Sequence, residues 1–245
     1  MAIRLIHIEE TDSTNRWLKE HQPPFGPDED IAVWADYQTA GRGCGTNTWE
    51  SERKKNLLFS LLLHPIDVPA TCQFLLSMAN ALALKDTLDD YAGGIKIKWP
   101  NDIYWNDRKI GGTLIETTLL GSHIKECIIG TGINVNQRVF RSDAPNPVSL
   151  LQILGHEADC QELLHKVMGN MVKYMDMVRT GAWEEIRRRY RSNLYRLQET
   201  HLYRLADGTE KLCKLVNVTD DGHLELLHDN GVTCRFAFKE VQFII

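Results

Sequence analysis

Two short segments of the chain combine cationic side chains with groups that suit the binding of a small anionic ligand. In Gly41-Arg42-Gly43-Cys44-Gly45, alternate glycines let the backbone approach a ligand, and Arg42 can bind a carboxylate or phosphate through two hydrogen bonds. In Lys98-Trp99-Pro100-Asn101-Asp102, a lysine, an amide and a carboxylate surround a proline. Such a trio can hold a nucleotide, with Asp102 as a ligand for Mg²⁺ carried by its phosphates.

Two further segments place small residues beside a cation or an amide. Lys109-Ile110-Gly111-Gly112 sets a compact cation next to two strand glycines, where a ligand can lie against bare backbone. Gly130-Thr131-Gly132-Ile133-Asn134 sets small residues before an asparagine that can accommodate an adenine or ribose edge. Each of the four segments, taken alone, is also typical of a surface loop, a turn, a β-bulge or a strand end. The glycine cluster matches neither the Walker A pattern nor the Rossmann fingerprint.

Hydrophobic patterns predict an α+β fold with a mixed, largely antiparallel sheet. Apolar runs predict strands at residues 3–8, 31–35, 57–63, 95–99, 103–105, 109–119 and 124–135. Helical spacing predicts a helix capped by Asp12 or Ser13 and ending near Glu20, and others at residues 69–88, 163–178 and 183–194. Loops are predicted at residues 23–27 and, rich in glycine, at residues 38–55.

A change of composition near residue 195 predicts two domains, residues 1–195 and residues 196–245. The second part contains three hairpin signals, Asp207-Gly208, Asp220-Asp221-Gly222 and Asp229-Asn230-Gly231, between short alternating runs. These signals predict a small C-terminal β-barrel.

Charge and cysteine usage exclude several classes of protein. The 245 residues carry 28 Lys plus Arg against 33 Asp plus Glu, so the basic coat of a non-specific nucleic-acid-binding protein is absent. The basic run at residues 187–191 is typical of a solvated helix face. Because the six cysteines form no C-x-x-C pair and no apolar run approaches about 18 residues, we expect reduced thiols, no protein-built transition-metal site and a cytoplasmic protein without a membrane span. We expect Cys72 and Cys127 to be buried and inert, and Cys44 to be exposed with a lowered pKa.

Five motifs follow one another in a specific order and spacing. They are Thr11-Asp12-Ser13-Thr14-Asn15, Gln38-Thr39-Ala40-Gly41-Arg42-Gly43 with Trp49, Lys98-Trp99-Pro100-Asn101-Asp102, Lys109-Ile110-Gly111-Gly112 and Gly132-Ile133-Asn134-Val135-Asn136. Their order and spacing make the chain resemble biotin protein ligases. The resemblance covers nearly the whole chain and implies a catalytic domain related to class II aminoacyl-tRNA synthetases followed by an SH3-like domain. It also implies biotin and ATP with Mg²⁺ as substrates, and a lysine of a biotin carboxyl carrier protein or domain as acceptor.

The same resemblance implies roles for individual residues. Arg42 and Lys109 are the implied catalytic cations, and Asp102 is the implied ligand of the Mg²⁺ that accompanies ATP. The implied biotin site comprises Ser13, Thr14, Asn15, Gln38, Gly41, Arg42, Gly43, Cys44, Lys109, Gly111 and Gly112. The implied nucleotide site comprises Trp49, Lys98, Asn101, Asp102 and Asn134.

The implied activity has two steps: biotin is activated as biotinoyl-5'-AMP, and the acyl group is then transferred to the acceptor lysine. The chain departs from the family pattern at Cys44, where many members carry arginine, and no basic residue follows directly. We therefore expect weaker retention of the adenylate.

The nearest alternative is a lipoate or other acyl protein ligase of the same fold. A second alternative, a transcriptional repressor, is disfavoured because the chain begins at a catalytic strand and leaves no room for an N-terminal helix-turn-helix. We therefore expect the short form of the enzyme, a monomer or homodimer without direct DNA binding.

Overall fold

Seven strands form the larger sheet of the protein. The computed structural model describes residues 3–21, 29–65, 68–142 and 144–245, so the loop predicted at residues 23–27 lies outside the described residues. The sheet order is β1-β2-β3-β7-β6-β5-β4, with β1 parallel to β2 and all other neighbours antiparallel. The prediction of a mixed, largely antiparallel sheet is confirmed. The strands are β1 (Ile3–Thr11), β2 (Asp30–Gln38), β3 (Leu57–Leu63), β4 (Ile95–Lys98), β5 (Asp102–Trp105), β6 (Arg108–Leu120) and β7 (His123–Ile133).

Within the described residues five α-helices accompany this sheet; α1, α2 and α4 contact it, and α5 packs against α2 and α4. They are α1 (Thr14–Glu20), α2 (Phe74–Asp89), α3 (Leu150–Leu154), α4 (Cys160–Arg179) and α5 (Trp183–Ser192). Helix α2 contacts β4 and β5 on one side and α4 and α5 on the other, which is why its apolar residues are buried on all sides. Within the described residues, no helix is both long and apolar enough to cross a membrane.

The helices differ from the sequence prediction in two places. The helix expected from Pro69 begins at Phe74, because the Ala70 amide donates to the Ser122 carbonyl and the intervening Ala70–Cys72 forms a 3₁₀ turn. Helix α3 was not predicted. Its signals are present in the sequence: Ser149 and Gln152 form a capping box, and Gly155 ends the helix in a left-handed conformation.

The C-terminal residues form a second, antiparallel sheet in the order β11-β10-β9-β8-β12. The three predicted turns join its first four strands, and Gly208, Gly222 and Gly231 each supply the positive φ that the turn requires. The strands are β8 (Thr200–Leu205), β9 (Glu210–Val218), β10 (Leu224–His228), β11 (Thr233–Phe236) and β12 (Val241–Phe243).

The second sheet packs directly against the part of the protein that contains the larger sheet. One buried cluster contains residues of both sheets, and the Trp99 indole donates to the Gly222 carbonyl at 2.8 Å. The basic run on α5 is only in part the solvated face that was expected: the Arg188 side chain is 70% exposed and pairs with Glu185 of its own helix. Arg187, whose side chain is only 12% exposed, and Arg191 both pair with Asp220 at the start of the β9–β10 turn. Arg187 and Arg191 therefore join α5 to the second sheet.

Candidate functional site

The glycine-rich loop folds into a small hairpin over the face of the larger sheet. The Gly43 amide donates to the Asn47 carbonyl at 2.8 Å, and the Trp49 amide donates to the Gly41 carbonyl at 2.9 Å. A Cβ at Gly41 would lie 2.6 Å from the Trp49 carbonyl oxygen, so only glycine allows this approach. Gly41 thus shapes the loop but does not line the cavity beneath it.

A cavity of about 170 Å³ lies between this hairpin and strands β6 and β7. Most of the site residues expected from the sequence meet here, although they come from segments far apart in the chain. Gly111 does not line the cavity; it packs against the backbone of Gly132, where a Cβ would lie 3.1 Å from the carbonyl oxygen. The expected residues that do line it are Ser13, Thr14, Asn15, Gln38, Arg42, Gly43, Cys44, Trp49, Lys98, Asn101, Asp102, Lys109 and Gly112.

One end of the cavity is polar and uncharged. Gln38 Oε1 accepts hydrogen bonds from both the amide and the hydroxyl of Thr14, at 2.8 and 3.1 Å. The buried Ser60 hydroxyl lies 2.6 Å from Thr14 Oγ1 and 2.5 Å from Asn15 Oδ1. A Cβ on Gly130 would overlap the Asn15 side chain, so this glycine makes room for the cluster. The arrangement suits a ligand group that both donates and accepts hydrogen bonds.

The other end of the cavity holds two lysines and one carboxylate. Lys109 Nζ lies 2.6 Å from Asp102 Oδ1 and 5.8 Å from the centre of the Trp49 ring. The Lys98 ammonium lies over the rings of Tyr104 and Phe243, at 5.2 and 4.7 Å. Burial lowers the pKa of Lys98; Asp102 opposes this, and the neighbouring cations Lys109 and Arg196 add to it. An anionic ligand would relieve the repulsion between these cations.

Arg42 is tied to the sheet by Glu116. Its guanidinium lies 3.7 Å from Glu116 Oε1, which also receives the Lys19 ammonium at 2.8 Å. Burial works against ionisation of Glu116, but hydrogen bonds from Lys19 and Asn15, with the charges of Lys19 and Arg42, lower its pKa overall. The carboxylate therefore stays charged and holds Arg42 at the rim of the cavity.

Cys44 does not have the environment expected from the sequence. Its sulfur accepts from Asn101 Nδ2 at 2.9 Å, and Asn101 also donates to the Thr113 carbonyl. Burial and the nearby Asp102 carboxylate raise the pKa of this thiol, against the opposing effects of Asn101, Lys109 and Lys239. The expectation of a lowered pKa is wrong, and the thiol is half-buried and not exposed, because the sulfur packs onto β6. Cys127 is buried as expected, whereas Cys72 is only half-buried.

A second cavity, of about 340 Å³, lies on the far side of Trp49 and Lys109. Asn134 lines this cavity and not the first, so the residues expected to hold a nucleotide are divided between two neighbouring spaces. Trp49 packs on Gly132, where any Cβ would overlap the indole ring. Glu50 Oε2 accepts from the amides of Arg141 and Ser142 at 2.9 and 2.6 Å, which fixes the opposite wall.

Glu116 and Phe238 were given no role from the sequence: Glu116 orients Arg42, and Phe238, in the turn between β11 and β12, closes one side of the first cavity. Gly130 and Gly132 were expected to lie beside an adenine or ribose edge, and in the structure they make room for Asn15 and Trp49. The alternation of glycine at positions 130 and 132 is a usable signal, since both fall on one face of β7. The Phe238 contribution has no signal in the sequence because it depends on how the two sheets pack.

The charged end of the site offers a single carboxylate to a Mg²⁺ ion. Within the described residues, no group of three or more His, Cys, Asp or Glu side chains is placed to hold a metal ion. Asp102 is the one carboxylate lining the described part of the first cavity, and it is paired with Lys109. A single carboxylate fits an ion that arrives already bound to phosphates.

Comparison with known proteins assigns the chain to a family. Residues 7–134 match the biotin/lipoate A/B protein ligase family. The chain is 30% identical over 238 residues to the bifunctional ligase/repressor BirA of Bacillus subtilis, covering 95% of this chain and 69% of that protein. It is 30% identical to the biotin–[acetyl-CoA-carboxylase] ligase of Paracoccus denitrificans, covering 77% of this chain and 80% of that protein.

The fold agrees with these sequence relationships. The structure of the biotin protein ligase from Aquifex aeolicus in complex with biotin and ATP matches with a TM-score of 0.81 and 28% identity, covering 98% of this chain and 99% of that one. The protein belongs to the biotin/lipoate A/B protein ligase family.

Proposed function

We propose that this protein is an ATP-dependent biotin–protein ligase, which forms biotinoyl-5'-AMP and transfers the biotinoyl group to a lysine of a biotin carboxyl carrier protein or domain. The observation that carries the proposal is the layout of the first cavity. A cluster of amides and hydroxyls at one end and the cations Lys98 and Lys109 at the other match a molecule that is polar at its head and carboxylate at its tail.

In the proposed binding mode, Ser13, Thr14, Asn15 and Gln38 hold the ureido head group of biotin. This group donates through two N–H groups and accepts through one carbonyl, which the mixed donors and acceptors of the cluster can satisfy. The carboxylate then lies near Lys109, with Arg42 at the rim. A buried polar cluster leaves an apolar competitor with unpaired groups around it, which favours biotin strongly.

In the first step, a biotin carboxylate oxygen attacks the α-phosphorus of ATP, and the bond to the pyrophosphate oxygen breaks. The obstacle is the approach of one anion to another. Lys109 and Arg42 offset this repulsion and stabilise charge as it moves onto the leaving group. Asp102 would bind the Mg²⁺ that ATP carries, while Asn134 and Trp49 would contact the nucleoside from the second cavity.

In the second step, the acceptor lysine amine attacks the activated carbonyl carbon, and the bond to the phosphate oxygen of AMP breaks. A mixed anhydride hydrolyses in water, so the intermediate needs shelter. The hairpin at residues 41–49 covers the cavity and provides it. Positioning of the amine against the carbonyl supplies much of the rate enhancement in such a step.

The two sheets correspond to the two proposed domains. Residues 1–195, with the seven-stranded sheet, would form a catalytic domain of the class II aminoacyl-tRNA synthetase type. Residues 196–245, with the five-stranded antiparallel sheet, would form an SH3-like domain. The change of sheet between β7 and β8 supports this boundary.

Incubation of the purified chain with ATP, biotin and an apo-carrier domain tests the proposal. We expect a mass gain of one biotinoyl group on the acceptor lysine, which disappears when ATP is omitted. Pyrophosphate exchange with biotin and lipoate in parallel tests the alternative activity. Exchange that depends on lipoate and not on biotin would overturn the assignment.

A further inference from the structure

The glycine-rich hairpin, residues 41–49, has no cationic side chain of its own other than Arg42. The residues that follow Gly43 are Cys44, Gly45, Thr46, Asn47 and Thr48, none of which carries a positive charge. A phosphate group beneath this part of the hairpin would therefore meet backbone and neutral side chains from the hairpin itself.

Lys239, in the turn between β11 and β12, lies at this neutral stretch. A Cβ built on Gly45 would lie 2.6 Å from Lys239 Nζ and 3.3 Å from Lys239 Cε, so the ammonium rests against the Gly45 backbone. The charge of Lys239 also acts on the Cys44 thiol, which lines the first cavity. The neighbouring Phe238 is itself part of the cavity wall.

Lys239 is held in place by its turn and is left available for a ligand. Glu240, the nearest carboxylate in sequence, accepts the Ala237 amide at 2.7 Å. Among the described residues, no carboxylate lies within ion-pairing distance of Lys239, and its only ring contact is with Phe238 at 5.9 Å. Its φ of 73° is a left-handed conformation that a lysine adopts only at a steric cost. An exposed cation kept unpaired in an unfavourable conformation suggests a binding role.

We propose that Lys239, from the C-terminal part of the chain, binds a phosphate group of the bound nucleotide and supplies the positive charge that the glycine-rich hairpin lacks. This inference rests on the proposed ligase function. It makes the C-terminal part of the chain a contributor to the nucleotide site, with Lys239 beside Gly45 of the hairpin and Lys109 on the larger sheet.

Replacement of Lys239 by glycine gives a favourable test, because glycine adopts a positive φ freely and the variant should fold at least as well as the parent. We expect Lys239→Gly to raise the KM for ATP in biotin-dependent pyrophosphate exchange about tenfold, the effect of losing one charge-assisted contact at an exposed site. The KM for biotin should stay unchanged, because the polar head-group cluster lies at the other end of the cavity. Lys239→Arg should retain most of the ATP affinity.

Two further variants separate the phosphate role from a general charge effect. Lys211→Ala removes an exposed lysine from β9 of the second sheet and should leave both KM values unchanged. Thr46→Lys, placed in the Lys239→Gly background, returns a cation to the residue next to Gly45 and should recover part of the ATP affinity. Added salt should reduce the difference in the KM for ATP between the parent and Lys239→Gly, because salt screens the attraction between Lys239 and the phosphate.

The outcomes distinguish this inference from the proposed function. If the parent protein shows no biotin-dependent exchange, the proposed function itself fails. If the parent is active and Lys239→Gly has a normal KM for ATP, only the role of Lys239 is refuted. A variant with normal exchange and a raised KM for the carrier domain would assign Lys239 to acceptor docking and would likewise overturn the inference.

Discussion

Lys109 occupies the point where the two cavities meet, paired with Asp102 and facing the Trp49 ring. If it stabilises charge during adenylation, Lys109→Ala should lower the rate of biotin-dependent pyrophosphate exchange by about 10²–10³, the usual effect of removing one fixed electrostatic group. Lys125→Ala, which removes a half-exposed lysine of β7 outside the cavity, serves as the control. Near-normal exchange by Lys109→Ala would show that the catalytic assignment is wrong.

The lowered pKa of Lys98 predicts a pH dependence. Because burial disfavours its cation, Lys98 loses its proton at a lower pH than an ordinary lysine, and its attraction for phosphate is lost as pH rises through that pKa. We expect kcat/KM for ATP to fall on the alkaline side, at a pH below that at which an ordinary lysine titrates. Arginine stays charged at that pH, so Lys98→Arg should move the fall to higher pH. Identical alkaline profiles would exclude Lys98 as the titrating group.

Cys44 offers a test of how the hairpin retains the adenylate. A guanidinium at this position would add a charge-assisted contact to the phosphate, so Cys44→Arg should slow release of biotinoyl-AMP by about tenfold. Cys44→Ser keeps a small group beside Asn101 and should change the release rate little. The rate is measured by trapping released intermediate. Equal release rates for Cys44→Arg and the parent would contradict the expectation.

Strand β7 shapes the site through Gly130 and Gly132, which make room for the side chains of Asn15 and Trp49. Gly132→Ala would push its methyl group into the Trp49 ring, and such overpacking typically costs about 1–3 kcal/mol. We expect altered tryptophan fluorescence and a raised KM for ATP, because Trp49 forms the wall between the two cavities. Gly169→Ala makes the same change in α4, where a Cβ meets nothing within 4 Å, and should be neutral or stabilising.

Most elements could be predicted from sequence because their signals are local. The continuous run Leu57–Leu63 is a strand buried along its whole length, and the alternation at residues 95–98 places Lys96 and Lys98 on one face, as predicted. Helix α3 was missed because its five residues are too few to show a period, although its caps were readable. A helix this short can be recognised from its capping residues but not from the periodicity of its apolar residues.

The sequence predicted which residues form the site, but it predicted little of how their side chains are arranged and contact one another. Motifs indicated that Arg42, Lys98, Asp102 and Lys109 act together, and the structure places them around one cavity. The half-burial of Cys44, the anchoring of Arg42 by Glu116 and the position of Asn134 in a second cavity all depend on contacts between residues far apart in the chain. No local pattern encodes such contacts.

At the scale of the whole molecule, the second sheet is joined to the first through Trp99. Trp99→Phe removes the hydrogen bond from the indole to the Gly222 carbonyl and should lower the free energy of unfolding by about 1 kcal/mol. Trp183→Phe removes an equivalent bond, to the Val178 carbonyl, within the helical layer and should cost a similar amount.

The KM for ATP should differ between Trp99→Phe and Trp183→Phe. If Lys239 acts on the nucleotide, its position depends on the junction between the sheets, so Trp99→Phe should also raise the KM for ATP. Trp183→Phe should not. Denaturant unfolding and pyrophosphate exchange measure the two effects on the same samples. An equal KM for ATP in both variants would show that the junction does not position Lys239.

The wall formed by Trp49 and Lys109 separates two spaces that lie side by side. A single compound with one arm in each space would lose its freedom of translation only once, so its affinity would approach the product of the affinities of its halves. A short, hydrolysis-resistant tether passing over the Lys109 ammonium would be the shortest such bridge. Inhibitor design for this protein therefore reduces to the choice of that tether.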